Sequence, residues 1–340
     1  KDELTDIQGK LVHFRTYGNG KFQCQGNEYS PMFQWTFGIK LWEGSSDQEG
    51  NDIAFNECFD NGRGQEGDYQ GRGVGIWLDG LPGNPGNMNW IRHNLVYNNT
   101  GNGIFIEISG NTVILGNLLL NNATNTGGGT EFAPASIAID SREDFVSENN
   151  LVFNNTSVGG RYGIKLVTYD WQGCSVNENV VKNNIIVGAS EHNLFALFGG
   201  DNDDSNGYGN IYENNNFGEE HPGFIQWGWT EHASYESWES AYGWPTYSVE
   251  GDPQLAGSTP NSLYLSSSSP ARDAGLNLGS DYDSGLVESS TWPNSVVTTD
   301  QDVHDSGWEL GAYCFTDWTA NIIFTSGFEG GQNEGWQIFQ

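Results

Sequence analysis

The sequence is poor in positive charge. Only 13 Lys and Arg stand against 44 Asp and Glu in 340 residues, a formal net charge of −31. Nucleic acid and anionic membrane surfaces are therefore excluded as partners, because phosphate binding needs clustered cations. No apolar run approaches the roughly 18 residues of a membrane span. Proline is scarce, with 10 residues beside 47 Gly, which rules out a collagen-like chain. The four cysteines (Cys24, Cys58, Cys174, Cys314) are widely spaced and form no Cys-x-x-Cys. Zinc ribbons and thioredoxin-type redox sites go with them, while disulfides and buried thiols both stay open. No paired-His spacing exists for a transition metal, and His93, beside a repeat position, reads as structural. Gly127-Gly128-Gly129 lacks a following Lys-Ser/Thr, so no phosphate loop is implied.

What is present is aromatic and repetitive. Aromatics make up 13% of the chain, too many for an acidic disordered protein. The pair Asn-x-x-x-Asn/Asp recurs as Asn56/Asp60, Asn94/Asn98, Asn117/Asn121, Asn150/Asn154, Asn179/Asn183 and Asn210/Asn214. Apolar triplets such as Leu95-Val96-Tyr97 and Leu118-Leu119-Leu120 fill the gaps. In phase with the pairs runs a small residue followed by alternating apolar positions: Gly38-Ile39-Lys40-Leu41, Gly75-Ile76-Trp77-Leu78, Gly103-Ile104-Phe105-Ile106, Ser136-Ile137-Ala138-Ile139 and Gly163-Ile164-Lys165-Leu166. Each unit holds short strands of period two separated by Gly/Asn turns. A unit of about 30 residues cannot bury its own apolar face, so coaxial stacking into a solenoid is expected. Asn94, Asn117, Asn150 and Asn179 would then line up along one edge as an amide ladder. The Asn-x-Thr sequons at Asn98 and Asn154 fall on ladder positions, so glycosylation is a poor reading of them.

Aligning the Gly-Ile strands places Ile39, Ile76, Ile104, Ile137 and Ile164 inward and sends the next residues outward. One outward column reads Lys40, Trp77, Phe105, Ala138, Lys165; the other reads Trp42, Asp79, Glu107, Asp140, Val167. Three acids thus stack on consecutive coils, about 4.7–4.9 Å apart at the backbone. Like charges at that spacing repel. Either a cation sits among them or at least one is held protonated with a raised pKa. Trp42, Trp77 and Phe105 flank them as flat faces suited to sugar rings. The rare cations gather nearby, at Lys40, Arg63, Arg72, Arg92, Arg142, Arg161 and Lys165, as a place for a carboxylate-bearing ligand. By contrast Trp227, Trp229, Trp238 and Trp244 read as packing residues. Two loops carry calcium-like acid spacing: Asn202-x-Asp204-x-Asn206-Gly207 with Glu213, and Asp300-x-Asp302 to Asp305 with Glu309.

These repeats resemble the right-handed parallel β-helix repeat proteins, a family rich in extracellular polysaccharide lyases and some glycoside hydrolases. The resemblance covers roughly residues 35–315. Its C-terminal part is carried by Tyr235 to Gly243, Ser248-Val249-Glu250-Gly251-Asp252-Pro253-Gln254, Ser269-Pro270-Ala271-Arg272-Asp273-Ala274-Gly275 and Leu310-Gly311-Ala312-Tyr313. The implied architecture is an all-β parallel β-helix over residues 1–250, with 1–35 an irregular first coil. A closing segment follows at 251–316. Residues 317–340 are a tail, resembling the C-terminal segments of secreted bacterial proteins or the start of a further module. The resemblance implies a secreted, extracellular, monomeric enzyme acting on a polysaccharide. As a lyase it would hold Ca2+ with Asp79, Glu107 and Asp140, use Lys165 as base, and neutralise a uronate with Arg142 or Arg161. Trp42, Trp77, Phe105, Lys40 and Arg72 would line the substrate path. The alternatives are a glycoside hydrolase using two of the three acids, and a non-catalytic glycan-binding β-helix.

Overall fold

Alternating apolar positions and asparagine turns build a parallel β-helix. The computed structural model describes residues 10–12, 15–17, 36–42, 50–62, 73–124, 134–142, 145–168, 174–198, 207–303 and 306–315. Short strands repeat around each coil and pair with their counterparts one coil away, forming three long sheets. One has eight strands: Thr36–Trp42, Gly73–Asp79, Ile104–Glu107, Ala135–Ser141, Tyr162–Thr168, His192–Leu197, Ile225–Trp227 and Thr230–His232. All its pairings are parallel except the last. The other two sheets have seven and six strands of three or four residues, wholly parallel. The inward columns fuse into one core. Ile39, Ile76, Ile104, Ile137, Ile164 and Leu194 come from the long sheet, Ile53, Ile91, Ile114 and Val152 from the second, and Val96, Leu119 and Ile186 from the third.

Asparagine turns the corners. Asn56, Asn94, Asn117, Asn155, Asn184 and Asn215 form an unbroken buried ladder, each Nδ2 donating to the next Oδ1 at 2.9–3.0 Å. That Oδ1 also accepts the preceding rung's backbone N–H. Asn150, Asn179 and Asn210 form a separate ladder, so Asn94, Asn117, Asn150 and Asn179 do not share an edge as expected. The reason is a module of five residues. Rungs at 89, 94 and 99 serve successive corners of one coil, and the Asn-x-x-x-Asn spacing does not say which corner it spans. The residue before each rung of the long ladder is left-handed. Phe55, His93, Gly116, Asn154, Asn183 and Asn214 have φ between 50° and 62°, and Tyr247 continues the column at 52°. Asn98 is likewise an exposed turn residue with positive φ, its neighbour Asn99 being the rung.

The chain after the coils is fastened along that left-handed column. His93 Nε2 lies 3.0 Å from the Ser284 carbonyl, and Asn154, Asn183 and Asn214 donate to the carbonyls of Glu309, Leu276 and Ala274. Burial pushes the His93 imidazole down to about 4, consistent with a structural role. Leu263, Leu286, Ala312 and Tyr313 pack on Leu95, Leu118 and Leu120. One helix, Tyr235–Tyr242, plugs the core end with Tyr235 and Trp238. Ser234 caps its start by accepting from Ser237 N–H, and Gly243, at φ 86°, ends it. No helix among the described residues is long and apolar enough to cross a membrane. Cys58, Cys174 and Cys314 are buried.

Candidate functional site

The strand register brings the predicted columns together. Trp42 pairs with Asp79, Asp79 with Glu107, and Glu107 with Asp140. Lys40, Trp77, Phe105, Ala138 and Lys165 likewise stand in one row. The surroundings differ from the expectation. Trp42 is 48% exposed, and Lys40 and Asp79 are half-buried, but Trp77, Phe105, Glu107, Asp140 and Lys165 are buried, Asp140 and Lys165 at 0% exposure. Trp77, Phe105 and Ala138 join Val74, Ala135, Tyr162, Val167, Phe195 and Leu197 in a second apolar cluster on the outer side of the sheet. Hence Trp77 and Phe105 are packing residues, not an open sugar platform, and Lys165 is not a surface base. The signal lay in near-continuous apolar runs such as Gly73–Leu78 and Leu194–Leu197, which mark strands covered on both faces.

Each acid has a cation. Lys40 Nζ is 2.8 Å from Asp79 Oδ2 and 3.5 Å from the Trp77 ring centroid, combining an ion pair with a cation–π contact. Arg142 Nη2 bridges Glu107 Oε1 at 2.8 Å and Asp140 Oδ2 at 3.0 Å. The Lys165 ammonium lies between the Tyr162 and Phe195 rings, 5.8 and 5.3 Å from their centroids, and favours the charged form of Asp140. Even so, Glu107 Oε2 and Asp140 Oδ1 are buried without a hydrogen-bond partner. Burial, then the neighbouring Asp140 charge, pushes Glu107 up to about 8; burial, opposed by Arg142, raises Asp140 to about 6. The column thus combines both sequence readings: side-chain cations sit among the acids, and burial raises the pKa of two of them. Asp79, Glu107 and Asp140 do not bring three ligand oxygens within 4.8 Å of one another, so the calcium cage drawn for them is not formed.

Such a triad occurs elsewhere. Asp283, Asp300 and Asp302 place carboxylate oxygens within 4.8 Å of one another, the one such group among the described residues. An antiparallel ribbon makes it, pairing Ser284 with Asp300. Asp300 and Asp302 were in the acid loop singled out from the sequence. Asp283, from the Asp-Tyr-Asp of 281–283, was missed because only the ribbon brings it across.

The remaining candidates separate. Arg161 is held by Glu191, Nε to Oε1 2.6 Å, with Tyr162 Oη donating to Glu191 Oε2 at 2.6 Å. It precedes the strand position opposite Asp140 by six residues, about 20 Å along the backbone, so it stands apart from the acid column where a uronate was expected to bind. Arg72, Arg63, Cys24, Asp305, most of the 202–207 loop, Gly127–Gly129 and residues 317–340 lie outside the described residues. Trp238 is fully buried and Trp227 packs against it, whereas Trp229 and Trp244 are 53% and 70% exposed. The chain matches no family model, and no relative is found among the curated proteins.

Proposed function

We propose that the protein is a secreted carbohydrate-active enzyme, a glycoside hydrolase acting on a neutral glycan at the Asp79–Glu107–Asp140 face. The observation that carries this reading is the burial of the Glu107 carboxyl one coil from the more accessible Asp79, which pushes its pKa up to about 8. A general acid for a glycosidic oxygen needs such a raised pKa, with a second carboxylate close by. Register places Asp79 and Glu107 directly opposite each other on adjacent coils, as a carboxylate pair requires. Glu107 donates its proton to the leaving oxygen as the glycosidic bond breaks and Asp79, held by Lys40, bonds to the sugar; water then cleaves that ester, giving its proton back to Glu107. Arg142 keeps Asp140 and Glu107 oriented, and Trp42 offers the exposed aromatic face at the rim. The net charge of −31 favours a neutral polymer over a uronate.

Incubating the protein with a neutral glycan panel and a uronate panel tests this. New reducing ends without ultraviolet-absorbing unsaturated products are expected, and loss of turnover in Glu107→Gln and Asp79→Asn with the fold intact. Unsaturated products from a uronate polymer would restore the lyase reading, and no turnover on any glycan the non-catalytic one. A hard cation such as calcium would be held by Asp283, Asp300 and Asp302, whose donor atoms are all oxygen.

A further inference from the structure

The left-handed turn column ends in an exposed aromatic residue. Before it in the column the Phe55 ring stacks on His93 at 5.6 Å, Gly116 carries no side chain, and His93, Asn154, Asn183 and Asn214 are fastened under the closing segment. Tyr247 is next in line, since Asn214 N–H donates to the carbonyl of Thr246 at 2.8 Å. It has φ 52°, yet its ring is 68% exposed. A bulky residue at positive φ is uncommon, and such strain concentrates at functional sites. Tyr247 does not stand alone. With Tyr208 (68% exposed), Trp244 (70% exposed), Trp227 and Tyr242 it lines a cavity of about 560 Å3, within the roughly 300–1,000 Å3 of ligand sites.

The cavity floor is the outermost strand of the seven-stranded sheet, Ile211–Glu213. Tyr242 Oη donates to the Asn210 carbonyl at 3.0 Å, which fixes one wall. Among the described lining residues Glu213 is the charged group, and Lys182 Nζ pairs with it at 2.7 Å, so the cavity presents aromatic faces beside a neutralised ion pair. Aromatic faces suit the apolar C–H faces of a pyranose, and the net charge of −31 disfavours an anionic sugar.

We infer that the cleft between Tyr208, Trp244 and Tyr247 binds a neutral oligosaccharide, at a place separate from the acid column and independent of the hydrolase reading. Calorimetric titration of the full chain carrying Glu107→Gln with cellohexaose, xylohexaose and mannohexaose tests it, with oligogalacturonate as the charged comparison. At least one neutral hexasaccharide is expected to bind with Kd below about 1 mM, and oligogalacturonate more weakly. Trp244→Ala should weaken binding about tenfold or more. Tyr247→Gly should do the same while holding or raising the melting temperature, because Gly relieves the positive φ. Absence of binding by all three neutral probes would overturn the inference. So would tighter binding of oligogalacturonate, affinity unchanged in both variants, or a fall in melting temperature for Tyr247→Gly with binding intact.

Discussion

Replacing Asn155 by Ala tests the ladder at its most informative rung. Asn155 Oδ1 accepts the backbone N–H and the Nδ2 of Asn117, both at 2.9 Å, and its own Nδ2 donates to Ile114 O at 2.8 Å and Asn184 Oδ1 at 3.0 Å. Alanine strands two buried donors of Asn117 and the Ile114 carbonyl; the Asn155 backbone N–H still reaches Asn184 Oδ1. A buried polar group left unmade costs about 1–3 kcal/mol. Partial relaxation and an admitted water lower the sum, so a loss of about 3–5 kcal/mol is expected. Asn98→Gly is the matched control: an exposed turn residue with positive φ that Gly adopts freely, expected within about 0.5 kcal/mol of the parent. Urea unfolding followed by tryptophan fluorescence gives the stability. Amide exchange shows whether coils on either side of Asn155 open together or fray separately. A loss below about 1 kcal/mol for Asn155→Ala, or an equal loss for Asn98→Gly, would refute the ladder as the corner-holding element.

Other outcomes follow from the acid column and the closing segment. Glu107 and Asp140 retain protons in the fold that the unfolded chain releases. Their contribution to stability is therefore full below the ordinary carboxylate range and fades as pH rises through about 6 and then about 8, by at most about 1.4 kcal/mol per pH unit for each proton. Glu107→Gln should flatten the upper part of that slope in pH-dependent urea midpoints. If the hydrolase reading holds, turnover falls above about pH 8 as Glu107 loses its proton, which a pH–rate profile measures. Lys165→Ala should destabilise by about 2–4 kcal/mol because it empties a fully buried site beside Asp140, whereas a surface lysine would cost under about 0.5 kcal/mol. Calcium should raise the melting temperature of the parent and lose that effect in Asp300→Asn; an equal rise in both would exclude the Asp283–Asp300–Asp302 triad as the site.

The coil, its inward isoleucines and the outward register of Lys40 to Lys165 and Trp42 to Val167 were legible in the chain itself, because period-two alternation fixes which side chains share a face. So was the repulsion among Asp79, Glu107 and Asp140, which follows from strand spacing alone. Other features depended on distant chain segments. A pattern of alternation says which face a residue occupies but not whether anything covers it, so Lys165 and Trp77 read as exposed and are buried. The Asn pairs read as one ladder because five-residue modules look alike at every corner; only the hydrogen bonds separate Asn150 from Asn155. Arg142 came to bridge two acids and Arg161 to serve Glu191 through strand register and side-chain reach. Asp283 met Asp300 and Asp302 through an antiparallel pairing about 17 residues apart in the chain, a contact that local spacing cannot encode.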